Sequence, residues 1–82
     1  MSDGLISLDA RNIDGTWWVG RLGRVVGSSE VDCITALKSA VRNHDKARPV
    51  GISWSSAPDS SIPNTWHSGD IVQPTVADVL AV

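Results

Sequence analysis

The chain has 82 residues, of which 41% are hydrophobic and 20% are charged, and its formal net charge is −2. A chain of this length can bury one core but not two, so we expect a single domain over residues 1–82. No apolar run approaches the roughly 18 residues that cross a bilayer, and the N-terminus lacks the pattern of a secretory signal. These features exclude a membrane-spanning class and predict a cytoplasmic protein with no membrane partner.

The aromatic and cysteine content limits how the core can form. Cys33 is the single cysteine, so the chain can form neither an internal disulfide nor a thiolate metal cage. The four tryptophans are accompanied by no phenylalanine or tyrosine. We expect no metal and no cofactor. Because tryptophan is the only aromatic residue type, the positions of the tryptophans should show which surfaces belong to the core and which form contacts.

The first elements predicted along the chain are strands. Residues 5–11 alternate apolar and polar side chains, which is typical of a half-buried strand. The turn residues at 12–15 then lead into a returning strand over residues 16–21, and the two form a hairpin. A short third strand is predicted at residues 24–26, between glycines.

A helix follows over about residues 30–46, with Ser29 as its predicted cap. Ile34, Leu37 and Val41 recur at helical spacing, and Pro49 is predicted to stop the helix. Residues 50–55 alternate again and predict a strand that packs on this helix.

The C-terminal third contains more loop than regular structure. Residues 55–69 are rich in turn-forming residues and predict a long loop within the domain, followed by a short strand at 70–73. Thr75 and Asp78 resemble a capping box that opens a short C-terminal helix. The fold class expected is therefore α+β: a small, mostly antiparallel sheet of 3–5 strands, with the main helix on one face and a short C-terminal helix.

The adjacent pair Trp17 and Trp18 carries the main functional prediction. Neighbouring residues of a strand face opposite sides, so one indole enters the core and the other stands on a face that a single helix leaves uncovered. Exposed tryptophan is a common contact residue, which predicts a small non-enzymatic interaction module that acts as an accessory, regulator or inhibitor. We expect a protein partner, with a homodimer as the expected assembly. The predicted contact residues are Trp17, Trp18, Val19 and Trp66. In the alternative, the terminal helix or the Trp66 loop covers the second indole.

Nucleic-acid binding is a second possible function. Basic residues at i,i+4 spacing on the predicted helix, together with arginines after the tryptophan pair, would give a cationic surface: Arg21, Arg24, Lys38, Arg42 and Lys46. The order of three strands, a helix and a strand, with a glycine-rich hairpin from Gly15 to Gly27, resembles that of HicB-type antitoxins. This resemblance implies an antitoxin-like regulator.

A small cysteine hydrolase is the third alternative. Cys33 would be the nucleophile and His44, Asp45 or His67 its partner. The stretch from Val31 to Leu37 resembles the start of the nucleophile helix in papain-like bacteriocin-processing peptidases, although Ile34 stands where that family has glycine. An ordinary thiol is the simpler interpretation, and no catalytic set is assigned.

The two histidines, His44 and His67, are candidate metal ligands. His67 lies in sequence near Asp59 and Asp70, which together could bind a divalent ion, but solvated turn residues are the simpler interpretation. His44 lies at the edge of the helix's apolar stripe, where we expect a packed or capping histidine. No metal ligand is therefore assigned.

Overall fold

The computed structural model of the chain describes residues 4–22, 24–25, 32–55, 60, 62–66 and 73–82. The four strands in these ranges form one sheet in the order β3-β2-β1-β4, antiparallel except for the parallel pair β1 and β4. This confirms the predicted α+β class. The elements in chain order are β1 (Ile6–Ile13), β2 (Thr16–Arg21), β3 (Arg24–Val25), α1 (Cys33–Val41), β4 (Val50–Trp54), a 3₁₀ helix (Asn64–Trp66) and α2 (Val76–Ala81).

The hairpin between β1 and β2 is set by its two-residue turn. Asp14 and Gly15 have φ values of 52° and 81°, the left-handed backbone that a type I′ turn requires at both central positions. The Asn12 side chain accepts a hydrogen bond from the Gly15 amide at 3.0 Å. Ile13 and Thr16 are therefore the first strand pair, and every pair after them follows from that register.

Helix α1 begins later than the pattern predicts. Asp32 is its N-cap, with extended backbone at φ −77° and ψ 171°, and its carboxylate accepts a hydrogen bond from the Thr35 amide at 2.8 Å. The predicted cap, Ser29, lies outside the described residues. The described helix therefore opens at Cys33, not near residue 30.

Helix α1 also ends earlier than predicted, at Val41 instead of about residue 46. Asp45 forms a turn of its own, in which its side chain accepts from the Ala47 amide and its carbonyl accepts from the Arg48 amide. Asp competes for backbone hydrogen bonds in this way and so favours turns over helix interiors. Consequently Lys46 lies in a turn beyond the helix.

Backbone contacts join the start of β4 to the residues that precede α2. The Val50 amide donates to the Pro74 carbonyl at 2.7 Å, and Pro49 forms an isolated bridge with Thr75. The predicted capping box of α2 is confirmed, because the Thr75 amide donates to the Asp78 carboxylate and the Asp78 amide donates to the Thr75 hydroxyl.

The predicted loop from 55 to 69 contributes to the core where it is described. Ile62 is 3% exposed, and the 3₁₀ helix that ends at Trp66 packs that indole against the core. The strand predicted at 70–73 falls mainly on residues outside the described ranges, and Gln73 itself lies in no strand.

One face of the sheet carries the core. Both helices pack there, and α1 lies on β2 and α2. No helix within the described ranges has the length and apolar character needed to cross a membrane. The buried apolar side chains of the core are Ile6, Leu8, Ala10, Trp17, Val19, Cys33, Ala36, Leu37, Val41, Val50, Ile62, Val76 and Val79.

Candidate interaction surface

The sheet has a second face that points away from both helices, and we call it the open face. Side chains alternate between the two faces along each strand, and paired residues share a face. Since Leu8, Ala10 and Val19 are buried on the helix side, the residues between them define the open face. Its members are Ser7, Asp9, Arg11, Ile13, Thr16, Trp18, Gly20, Val25, Gly51 and Ser53.

The tryptophan pair is divided between the two faces. Trp17 is 6% exposed and makes an edge-to-face contact with Trp54, with ring centroids 5.8 Å apart. Trp18 is partly exposed and is not among the side chains packed on the core. Val19 is 1% exposed on the helix side. Trp17 and Val19 are thus enclosed by their own chain, and Trp18 is the member of the predicted contact set that reaches the open face.

The segments considered as intramolecular cover for Trp18 lie on the other side of the sheet. Val76 and Val79 of α2 are fully buried in the core, and Leu80 and Trp66 pack against the same cluster. They therefore cover the helix side. The prediction that Trp66 contacts a partner stays a prediction, with this indole half-buried.

The open face combines apolar side chains with one opposite pair of charges. Ile13 is 48% exposed and Val25 is 49% exposed. Asp9 and Arg11 lie two residues apart on β1, with 4.0 Å between carboxylate and guanidinium. Arg11 is the strand partner of Trp18, so the charge pair borders the indole directly. The arrangement is an amphipathic surface of the kind that forms contacts between proteins.

Comparison with known proteins assigns no family to this chain. No protein-family model matches it, and neither the curated proteins nor the solved structures contain a significant match. The resemblances to HicB-type antitoxins and to bacteriocin-processing peptidases therefore stay expectations from the sequence.

The cations predicted for nucleic-acid binding do not form one ridge. Lys38 lies within α1 and Arg42 is its C-cap, but Lys46 lies beyond the helix. Because α1 ends at Val41, helical spacing does not align the three side chains. Arg21 is the last residue of β2 and Arg24 is the first residue of β3, and the two are paired across these strands. The predicted set is divided between separate elements.

The cysteine and its nearest candidate base are far apart. Cys33 is fully buried at the first position of α1, whereas His44 follows the other end of that helix. The rise along α1 alone separates the two ends by roughly 12 Å, too far for a nucleophile and base in hydrogen-bond contact. His67, Asp59 and Asp70 lie outside the described residues. Within the described ranges, no group of three or more potential metal ligands occurs.

His44 belongs to a cluster that the sequence did not predict. Its Nε2 lies 2.6 Å from Nη2 of Arg21, and its Nδ1 lies 3.1 Å from Nη1 of Arg48. Burial, followed by the charges of Arg21 and then Arg48, lowers the pKa of His44 below its ordinary value of 6.5. The sequence contained one sign of this cluster: Arg21 follows Val19 by two residues, so its side chain points to the helix side of β2.

Proposed function

We propose that this chain is a non-enzymatic interaction module that works as a homodimer, with the open face as the contact surface. The observation that carries the proposal is the charge pair Asp9 and Arg11 beside Trp18, on a sheet face that neither helix covers. A symmetric dimer places the same patch on both subunits, so that patch must be complementary to itself. One acid and one base in adjacent rows meet this requirement.

The register supports a specific two-fold arrangement. An axis in the plane of the interface, perpendicular to the strands and midway between Asp9 and Arg11, exchanges these two positions between copies. Asp9 of each copy then meets Arg11 of the other, and the two ion pairs are equivalent. The same axis brings Trp18 over the row of the second copy that contains Asp9 and Val25. Both apolar and charged contacts are thereby made twice.

The energetics favour this exchange of partners. The ion pair within one chain spans 4.0 Å between side chains that are 43% and 34% exposed, and such surface pairs contribute only about 0–1 kcal/mol. Breaking it to form pairs between copies therefore loses little within each chain. The driving force is the burial of apolar surface on Trp18, Ile13 and Val25, at about 25 cal/mol per Å².

Charge reversal tests the proposal directly. Asp9→Arg places only arginines around the axis and Arg11→Asp places only carboxylates, so each single variant should be monomeric. The double variant, Asp9→Arg with Arg11→Asp, restores the self-complementary pattern and should dimerise again. Sedimentation velocity at matched protein concentration and ionic strength distinguishes the two states.

Lys46→Glu is the control, because it changes the net charge by the same two units at an exposed residue outside the open face. It should dimerise like the parent chain. A parent chain that stays monomeric at every concentration contradicts the proposal. So does a double variant that behaves like the single ones, since that result indicates a different interface or a different partner.

A further inference from the structure

The cluster of Arg21, His44 and Arg48 lines a pocket of about 370 Å³ where β1 begins and β2 ends. Arg21 comes from the last position of β2, His44 from the turn after α1, and Arg48 from the segment before β4. Ser7, whose side chain belongs to the open face, also lines the pocket, and Leu5 and Leu22 add apolar surface. Three separate parts of the fold thus bring polar donors to one concave site.

The side chains of this cluster offer more hydrogen-bond donors than acceptors, so the cluster lacks an acceptor group. A guanidinium offers only donors, and a neutral imidazole has one acceptor nitrogen and one N–H. Both ring nitrogens of His44 face a guanidinium, so one of the two contacts opposes donor to donor. Arg21 and Arg48 are also close together, separated by one imidazole ring and two short contacts.

No carboxylate compensates these charges within the described residues. The single ion pair found there joins Arg11 to Asp9 on the open face. Asp45, the nearest acid in sequence, uses its carboxylate to accept from the Ala47 amide. Arg24 lies directly across from Arg21 and adds a further positive charge at this end of the sheet.

We infer that this pocket binds the oxyanion of a small molecule, a phosphate or carboxylate group that accepts hydrogen bonds from Arg21 and Arg48. Both groups accept paired hydrogen bonds from the planar guanidinium fork. The volume lies at the small end of the range for ligand pockets, which suits a compact ligand. Leu5 and Leu22 favour an apolar substituent on that ligand.

The pocket shares Ser7 with the open face, but its two arginines lie at the end of the sheet, and binding to them requires neither Trp18 nor the charge pair of the proposed dimer contact. Binding can therefore be measured on the monomeric Arg11→Asp variant as well as on the parent chain. Loss of the dimer leaves the pocket's arginines in place, so failure of one proposal is distinguishable from failure of the other.

The test titrates the chain with inorganic phosphate, phenyl phosphate and benzoate at constant ionic strength, followed by amide and imidazole NMR shifts. We expect saturable shifts centred on Ser7, Arg21, His44 and Arg48, with phenyl phosphate tighter than inorganic phosphate. Binding of benzoate without phosphate identifies a carboxylate ligand, and the reverse identifies a phosphate. Absence of a saturable shift with all three probes overturns the inference.

Substitutions test whether the two arginines carry the binding. Arg21→Gln and Arg48→Gln should each weaken it about tenfold or more, because each removes charge-assisted hydrogen bonds. Arg48→Lys keeps the charge but loses the fork and should fall between Arg48→Gln and the parent chain. Arg42→Gln, an equal loss of charge outside the pocket, should change affinity less than about twofold. Equal weakening by Arg42→Gln and Arg48→Gln would show unspecific attraction and refute the assignment.

Discussion

The opposite placement of Trp17 and Trp18 predicts very different costs for the same substitution. Trp17 is 6% exposed, lies in the core and contacts the edge of Trp54, so Trp17→Ala should cost about 3–5 kcal/mol. Trp18 is partly exposed and lies outside the core cluster. Trp18→Ala should cost about 1 kcal/mol, mainly the lost preference of an aromatic residue for a strand.

The difference is large relative to the stability of a chain this small. At about 0.05–0.15 kcal/mol per residue, 82 residues correspond to about 4–12 kcal/mol for unfolding. Trp17→Ala should therefore remove about a quarter or more of the total. Trp18→Ala should leave a stable domain.

Urea denaturation followed by far-ultraviolet circular dichroism is the suitable assay, because each substitution also removes a fluorophore. The measurements belong at a dilution where sedimentation shows monomers, so that the proposed interface does not contribute to the free energy of unfolding. Equal costs for the two substitutions, or a larger cost at Trp18, would refute the assignment of the two indoles to opposite faces.

Three further predictions concern the helix ends and the thiol. The Thr35 amide holds the pKa of Asp32 below its ordinary 3.8, so this carboxylate should stabilise the fold above pH 3.8 and lose that effect as the pH falls through its lowered folded-state pKa. Asp32→Ala should cost about 1 kcal/mol at neutral pH and make the free energy of unfolding depend less on pH in that acid range. Thr75→Ala should cost about 1 kcal/mol in urea denaturation while Thr75→Ser costs a few tenths, and equal losses would contradict the capping box. Cys33 is fully buried, so its alkylation should be slow in the folded chain and accelerate with urea in step with unfolding; rapid modification of the native protein would contradict its place in the core.

Features that depend on local chemistry were predictable from the sequence. The residues Asp14 and Gly15 specify their turn because both must adopt left-handed backbone, and the turn then sets the register of the hairpin. The division of Trp17 and Trp18 follows from the two-residue period of a strand. The capping box at Thr75 and Asp78 involves groups three residues apart, so its signal is contained in the sequence.

Features that depend on competition or on distant contacts were not predictable in the same way. The helical period continues past Val41, and only the competing turn at Asp45 explains why α1 ends there. The site around His44 requires β2, the turn after α1 and the segment before β4 to meet. Periodicity shows which side of an element a residue occupies, but it does not show which elements are neighbours. The parallel pairing of β4 with β1 was unpredictable for the same reason.

The central claim is that the open face is covered by a second copy of the chain, and an isotope-filtered NOE experiment tests it most directly. In an equal mixture of labelled and unlabelled protein, we predict NOEs between the Trp18 indole of one copy and the Val25 methyl groups of the other. A dimeric sample in which intermolecular NOEs connect other surfaces, or one in which none is found, would contradict the account.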